Sequence, residues 1–412
     1  MTNEPASNGG KRATERRRRR NTMPPILRAG FRPFFLLGAL WASIAVLGWV
    51  AELAGLVALP GRLAAIAWHQ HEMLFGFAAA IVAGFLLTAI PNWTGRLPVN
   101  GVALAGLAGL WLAGRIALLA GEVIGAIAAA LIDGAFLVVL AGLVAREIVS
   151  GGNWRNLPPA LLITLLAIAN AAFHLEHHGG VDLDGLGIRT GIGALAMLLG
   201  LIGGRIVPSF TRNWLVKRQA ADATPGALPS PFGVFDQLAL LLLAIAVLGW
   251  ILAPAGGLTG AVLAVAGVVH MIRLARWQGR RCFAEPLVLI LHVGYGWLAL
   301  GLLLLGLANL AAPFSDLAAV HALATGAFGT MMLAVMTRAT LGHTGRPLSA
   351  DRRTVLIYAA VTLGAIARTI SPLFPGQTWL TVAGLLWAVA FLLFALICGP
   401  MLMSKRTGSS AD

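Results

Sequence analysis

Apolar runs of about twenty residues recur along almost the whole chain, and this feature limits the possible folds more than any other. Each run is long enough to cross a hydrocarbon core of roughly 30 Å as a helix. The chain has 412 residues, of which 58% are hydrophobic and 11% charged, and its mean hydropathy is +0.84. A soluble domain carries roughly twice that share of charge, so lipid must be the solvent. Because lipid-facing backbone groups must bond within their own segment, we expect an all-α polytopic membrane protein.

Turn residues divide these runs into twelve predicted membrane spans. The first six are predicted at 33–52, 69–91, 101–120, 123–146, 158–177 and 188–207. The other six are predicted at 232–253, 257–276, 285–308, 317–340, 354–371 and 378–402.

The positions of lysine and arginine predict how the spans are oriented. Loops on the side of the N-terminus carry basic residues, among them Arg96, Arg155 and Arg280. The longest loop on the other side instead carries Glu176 and Asp182. Since Lys and Arg favour the cytoplasmic side, both termini should be cytoplasmic and the protein should lie in a bacterial inner membrane.

A basic tail precedes the first span. The net charge of the chain is +14, and Lys11, Arg12 and the run 16–20 concentrate part of it before residue 25. Nothing nearby resembles a nucleic-acid-binding domain, so we expect the tail to contact the lipid bilayer and no nucleic acid. No cleavage site of a signal peptide is evident. We therefore divide the chain into a tail at 1–25, one transmembrane domain at 26–403 and a short tail at 404–412.

One sequence pattern occurs in both the second and the tenth span. His71 and Thr94 are separated by 23 residues, and so are His321 and Thr344. The sixth span fits the same frame at its inner end but has Ile188 where the others have histidine. We predict three parallel four-helix repeats, at about 33–150, 158–277 and 285–402. Chance similarity among Gly/Ala/Leu-rich helices is the alternative.

Histidines near the predicted outer face are candidate metal ligands. His71 and His321 occupy equivalent repeat positions, and two such imidazoles facing each other would suit axial ligation of a haem or two corners of a copper site. His69 is a further candidate metal ligand, although a regular helix would point only one of His69 and His71 inward. Interface snorkelling is the alternative for all three residues.

Other histidines lie elsewhere along the spans. His292 is a candidate haem ligand, or it donates a hydrogen bond to a neighbouring helix. His343 is a candidate metal ligand, but it lies 22 residues from His321, which is about 33 Å along a helix, so the two cannot share a metal. His174 and His178 have i and i+4 spacing, but the Gly179-Gly180 pair that follows favours a solvated loop.

Charged residues and cysteines complete the set of candidates. Arg205 and Arg338 are candidate cofactor-binding residues, because guanidinium groups suit haem propionates and phosphates, although positive-inside anchoring would also explain them. Glu72 and Asp133 are carboxylates within predicted spans, where polar groups usually face the bundle interior. The two cysteines, Cys282 and Cys398, lie far apart and form no disulfide framework or Cys-x-x-Cys motif.

Several long motifs resemble the NnrS family of nitric-oxide-response membrane proteins over about residues 26–403. Near the N-terminus they are Gly30-Phe-Arg-Pro-Phe-Phe35, Trp68-His-Gln-His-Glu-Met-Leu-Phe-Gly-Phe77 and Gly84-Phe-Leu-Leu-Thr-Ala-Ile-Pro-Asn-Trp-Thr-Gly95. Later ones are Leu291-His-Val-Gly-Tyr295, His321-Ala-Leu-Ala-Thr-Gly-Ala-Phe-Gly-Thr330 and Met336-Thr-Arg-Ala-Thr-Leu-Gly-His-Thr-Gly-Arg346.

The resemblance implies a twelve-helix protein that contains haem and copper. It further implies a link to denitrification and to resistance against nitrosative stress, with nitric oxide or related nitrogen oxides and an unidentified electron donor as partners. An oxidoreductase would fit these expectations. The alternatives are a transporter or channel for a metal or small anion, for which parallel repeats would serve, and a haem-binding sensor or assembly partner without turnover.

Overall fold

The computed structural model describes residues 23–222, 226–310 and 315–407, and within these residues it contains helices and no strands. Twelve of the described helices are long and apolar enough to cross a membrane. The first six are α1 (Phe31–Leu53), α2 (Ala65–Thr94), α3 (Gly101–Leu119), α4 (Ala126–Ser150), α5 (Trp154–His178) and α6 (Leu186–Ala220). The others are α7 (Val234–Leu252), α8 (Gly257–Ala275), α9 (Pro286–Leu310), α10 (Asp316–His343), α11 (Arg352–Leu373) and α12 (Thr378–Met403).

The predicted all-α class and the twelve predicted spans are confirmed. The largest difference is at the end of α6, which continues as a helix from the predicted limit at 207 to Ala220. This extension carries Arg212, Lys217 and Arg218, and hydropathy misses it because helical hydrogen bonds do not require apolar side chains. The predicted basic tail at 1–25 lies almost entirely outside the described residues.

Both described ends of the chain lie at the same end of the bundle. Arg32, near the start of α1, donates to the carbonyl oxygens of Leu402 at 2.6 Å and Ser404 at 2.8 Å. The backbone N–H of Thr407 donates to the carbonyl of Thr344 at 3.0 Å. We call this the terminal end of the bundle, and the opposite one the far end.

The second, sixth and tenth helices form the centre of the bundle. Within an apolar 18-residue stretch of each helix, the protein buries 72% of the residues of α2, 72% of α6 and 67% of α10, more than in any other span. Helix α6 contacts both α2 and α10, while α1, α5 and α9 contact α12, α4 and α8 respectively. This arrangement agrees with three four-helix repeats, which stay a prediction.

Each central helix contains a segment of π-helix, at Glu72–Ala78, Leu199–Gly203 and Ala322–Gly329. A π-helical turn widens the helix and leaves carbonyl groups in need of other donors. Trp111 of α3 donates to the carbonyl of Gly76 at 2.9 Å, and Arg273 of α8 donates to that of Gly200 at 3.0 Å. Two of the three π segments are therefore tied to neighbouring helices by side-chain donors.

Two glycines end α2 and α10 in the same way. Gly95 follows Thr94 with a φ of 69°, and Gly345 follows Thr344 with a φ of 79°. This left-handed conformation is favourable for glycine, which has no Cβ to collide with the backbone, and it stops a helix. The Thr-Gly pairs noted in the sequence are therefore helix-terminating signals.

Candidate cofactor cavity and buried ligand cluster

A cavity of about 680 Å³ lies between the helices at the far end of the bundle, and all three central helices contribute to its lining. Ligand pockets in proteins usually measure roughly 300 to 1,000 Å³. Aromatic side chains form much of the wall: Trp49, Phe77, Trp250, Phe328 and Trp387. The cavity therefore has the size and the apolar character of a site for a flat organic ligand.

Two histidines from different central helices, His69 of α2 and His321 of α10, line this cavity. The Nδ1 of His321 hydrogen-bonds the carbonyl of Leu317 at 2.8 Å, so this nitrogen carries the proton and Nε2 keeps its lone pair. The His69 ring stacks on Trp49 with centroids 3.9 Å apart, and its buried Nδ1 has no hydrogen-bond partner. The cavity thus contains two imidazoles with nitrogen atoms free to bind a ligand.

Two arginines also line the cavity, and their surroundings differ. Arg189 donates to the carbonyl and the carboxylate of Asp184, and to the carbonyl of Ile251 at 3.4 Å. Arg368 is 8% exposed and donates to the hydroxyl of Ser371 at 2.6 Å. The far end of the bundle therefore offers positive charge beside the two imidazoles.

A second polar site is built around His71 and is fully buried. The Nε2 of His71 lies 3.0 Å from Asp133 Oδ2, and its Nδ1 lies 3.2 Å from Glu72 Oε1. Arg115 donates to both carboxylates, at 2.7 Å to Glu72 Oε2. Two carboxylates and one guanidinium leave an excess of one negative charge, which a proton or a metal cation can balance.

His174 and Asn170 of α5 complete this site, which we call the Asp133 cluster: His71, Glu72, Arg115, Asp133, Asn170 and His174. Both residues donate to Asp133 Oδ2, the imidazole at 2.9 Å and the amide at 2.8 Å. One donor atom each from His71, Asp133 and His174 lie within 4.8 Å of one another, so the three residues could hold a metal ion. Two imidazole nitrogens and a carboxylate oxygen suit zinc or copper.

The expectation that His174 and His178 belong to a solvated loop is wrong for His174, which is only 7% exposed. Helix α5 continues through His178, and the two rings stack with centroids 5.7 Å apart. The helical i and i+4 spacing was the informative signal, because it carries His174 into the bundle beside Asp133.

Glycine makes the Asp133 cluster possible. Gly76 lies one turn after Glu72, and a Cβ at this position would come within 2.5 Å of Glu72 Oε2 and 2.6 Å of Arg115 Nη1. Any larger residue would therefore push the guanidinium away from the carboxylates.

The structure separates His71 from His321, which the repeat had suggested as a facing pair. His71 belongs to the Asp133 cluster and does not line the cavity, whereas its near neighbour His69 does. Both histidines of α2 therefore face the protein interior, in different directions, and His69 is the one that shares a space with His321.

Two further candidate histidines lie apart from both sites. His292 of α9 hydrogen-bonds the carbonyl of Val288 at 3.2 Å and the hydroxyl of Thr211 at 3.3 Å. His343 packs on Phe31 at the terminal end, with ring centroids 5.2 Å apart. The protein itself thus satisfies both nitrogens of His292, and His343 lies at the opposite end of α10 from His321.

The two candidate cofactor-binding arginines, Arg205 and Arg338, also lie outside the cavity lining. Arg205 donates to the side-chain oxygen of Asn156 at 3.1 Å, and Arg338 lies over the ring of Phe210 at 3.9 Å from its centroid. Their contacts join α5 to α6 and α6 to α10. In this structure they join α6 to two neighbouring helices.

Sequence reasoning overlooked Arg115, Asn170 and Arg368 as site residues. Arg115 carried a usable signal, because an arginine inside an apolar span requires an acidic partner and Asp133 lies in the next span. Asn170 carried a weaker signal because a neutral amide needs no charged partner, and Arg368 lies near the end of its predicted span, where basic residues are common.

The chain is a polytopic membrane bundle whose interior contains imidazoles and carboxylates that could hold a metal ion. The chain belongs to the NnrS family, because the family model described as NnrS protein matches residues 25–406. This match confirms the resemblance over nearly the whole chain and supports a role in the response to nitric oxide. No curated protein matches the chain.

Proposed function

We propose that this protein is a haem- and copper-containing membrane protein that acts in the response to nitric oxide, with haem in the cavity between His69 and His321. The observation that carries this proposal is that two imidazoles, from α2 and α10, line one aromatic cavity of about 680 Å³. Membership of the NnrS family supports the biological role.

The residues of the cavity fit a haem. His321 has its Nδ1 held by a backbone carbonyl, an interaction that fixes the ring and leaves Nε2 as the ligand atom. The buried Nδ1 of His69 has no protein partner, which is unfavourable unless a ligand interacts with this imidazole. Tryptophan and phenylalanine side chains such as Trp387 and Phe77 match the apolar faces of a porphyrin.

The Asp133 cluster fits copper. Its three potential ligands are His71, His174 and Asp133, and imidazole is a favourable ligand for copper. The excess negative charge left by Glu72, Asp133 and Arg115 favours a bound cation. When bound, haem and copper would supply one-electron redox centres, and haem iron would supply a binding site for nitric oxide.

The protein itself positions the ligand histidines and excludes water from the cavity. The carbonyl of Leu317 orients His321, and the carboxylates of Glu72 and Asp133 orient His71. The apolar walls keep water away from the ligand, so that electrostatic interactions inside the cavity are strong. An oxidoreductase and a haem-containing sensor would both use this arrangement, and turnover distinguishes them.

An optical spectrum and metal analysis of the detergent-purified protein test the proposal. We expect a Soret band and bound copper, and we expect His69→Ala and His321→Ala each to remove or shift the Soret band. His343→Ala and His178→Ala are matched controls that should leave the band unchanged. Absence of both haem and copper from the wild-type protein would refute the proposal.

Two further measurements separate the alternative functions. Consumption of nitric oxide by the pure, reduced protein would indicate an oxidoreductase, whereas sensitivity of a knockout without consumption would indicate a sensor or assembly partner. Flux of a metal or a small anion into liposomes by cofactor-free protein would instead favour a transporter.

We also propose that the terminal end of the bundle faces the cytoplasm and that the membrane is the bacterial inner membrane. The arginines of the loops at this end, including Arg96, Arg280 and Arg346, support this orientation. Labelling of single cysteines introduced at Arg96 and at Asp182 in intact cells would test it. The cysteine introduced at position 182 should react with a membrane-impermeant thiol reagent, and the cysteine introduced at position 96 should not.

A further inference from the structure

Arg368 is a buried cation for which the described residues provide no carboxylate. Its guanidinium donates to the hydroxyl of Ser371 at 2.6 Å, and that hydroxyl in turn donates to the backbone carbonyl of Arg368 at 2.9 Å. Ser371 is neutral, so the positive charge has no counter-ion among the described residues.

Among the described residues three other arginines are buried: two are compensated by carboxylates, and the third, Arg32, donates to two backbone carbonyls at the terminal end. Arg115 is paired with Glu72 and Asp133, and Arg273 is paired with Asp236 at 2.8 Å. Burial of a charge is costly unless an opposite charge compensates for it, and the cost is largest inside a membrane. Unlike Arg115 and Arg273, Arg368 therefore has no carboxylate partner among the described residues.

Acidic residues are present in the same cavity, but they do not pair with Arg368. Glu176 accepts the backbone N–H of Gly185 at 2.7 Å, and Asp316 lies in the first turn of α10. Neither carboxylate lies within ion-pair distance of Arg368. The guanidinium of Arg368 is therefore available to an anion in the cavity that it lines.

The position of Arg368 relates it to the two imidazoles. Arg368 lines the cavity together with His69 and His321. A planar guanidinium binds a planar carboxylate or oxyanion through two parallel hydrogen bonds. A ligand that fills the cavity can therefore contact both the imidazoles and the paired N–H donors of Arg368.

We propose that Arg368 is the anion-binding residue of the cavity and that it binds a carboxylate or a small planar oxyanion of the molecule held there. This inference rests on the proposed function for the use of the cavity as a ligand site. The chemical class of the ligand group follows from the uncompensated charge of Arg368. The carboxylate would be a porphyrin propionate, and the free oxyanion would be a nitrogen oxyanion such as nitrite.

Iron-free protoporphyrin IX and its dimethyl ester test whether the anion is a porphyrin propionate. Without iron neither compound needs a histidine ligand, and only the diacid has free carboxylates. Binding of both to the purified protein is followed by the absorbance and fluorescence of the porphyrin. We expect Arg368→Gln to lower the ratio of diacid affinity to diester affinity by about tenfold or more, as for a charge-assisted hydrogen bond. Arg352→Gln, at the exposed start of the same helix, should leave the ratio unchanged.

Sodium nitrite tests the second source by calorimetric titration of the porphyrin-free protein. A loss of nitrite binding in Arg368→Gln, with the porphyrin ratio unchanged, would assign the anion to a free oxyanion. Arg368→Lys keeps the charge but not the two-pronged geometry, so it should give intermediate affinities and serves if the glutamine variant does not fold. If the Lys and Gln variants match the wild type with both probes, the proposal is wrong.

Failure of this inference and failure of the proposed function can be distinguished. A protein that contains no haem in its native membrane but binds nitrite through Arg368 would support this inference and refute the haem assignment. If Arg368→Gln keeps the Soret band and binds both probes like the wild type, this inference is refuted and the haem assignment is supported.

Discussion

His71 and Asp133 lie 62 residues apart in the sequence, and in the folded protein Nε2 of the imidazole lies 3.0 Å from Oδ2 of the carboxylate. Both side chains are fully buried. This contact joins α2 to α4, and Asp133 extends it to α5 through His174. The stability of the first third of the bundle should therefore depend on charges in its interior.

Arg115→Gln should destabilise the protein strongly, by roughly 3 to 5 kcal/mol, because it leaves two buried carboxylates without their cation. Thermal unfolding in detergent measures the effect. Arg96→Gln is the matched control, since its pair with Glu147 is partly exposed and should contribute at most about 1 kcal/mol. Equal losses in the two variants would contradict the interpretation of the Asp133 cluster.

His174→Ala should remove most of the bound copper and leave the Soret band intact, because His174 belongs to the Asp133 cluster and does not line the cavity. Metal analysis and an optical spectrum of the same sample measure both quantities. His178→Ala, one turn further along α5, should retain copper. Loss of the Soret band together with copper in His174→Ala would show that the two sites are not separate.

Gly267→Ala should destabilise the contact between α8 and α9. A Cβ at this position would lie 2.6 Å from the backbone nitrogen of Leu303 and 2.8 Å from the carbonyl oxygen of Ala299. Backbone atoms cannot rotate away as side chains do, so the helices must separate, at a cost of about 1 to 3 kcal/mol.

The control for this variant is Gly142→Ala in α4, where a Cβ would meet no atom within 4 Å. Alanine is the better helix former, so this substitution should be neutral or stabilising by up to about 1 kcal/mol. The same thermal unfolding assay applies to both. A stabilising effect of Gly267→Ala would exclude close packing as the role of this glycine.

Asp351→Ala should cost about 0.5 to 2 kcal/mol, because Asp351 caps the N-terminus of α11. Its carboxylate accepts from the hydroxyl of Thr354 at 2.7 Å and from the backbone N–H of Thr354 at 2.8 Å. These hydrogen bonds lower the pKa of Asp351 below its usual value.

The sign of the pH dependence follows from this lowered pKa. Stabilisation by Asp351 is present above the unfolded pKa of about 3.9 and is lost as the pH falls through the folded value. The difference between wild type and Asp351→Ala should therefore shrink below about pH 4. A difference between the two proteins that persists in acid would argue against a charged cap.

Prediction of the second and tenth helices worked because their signals are local. The apolar runs, the His71 and His321 motifs and the Thr-Gly ends are all read within one segment, and the glycines at 95 and 345 do end these helices. Local signals failed at the end of α6, where a charged helix continues beyond the apolar run to Ala220.

The sequence by itself determined that the chain is a bundle of twelve membrane helices, because hydropathy and backbone hydrogen bonding act within each segment. It also determined which spans carry histidines and carboxylates. Only the tertiary structure decided their partners: His69 with His321 in the cavity, and His71 with Asp133 and His174 in the buried cluster. The reason is that such pairs depend on the rotation and the neighbours of each helix, and these follow from packing across the whole bundle.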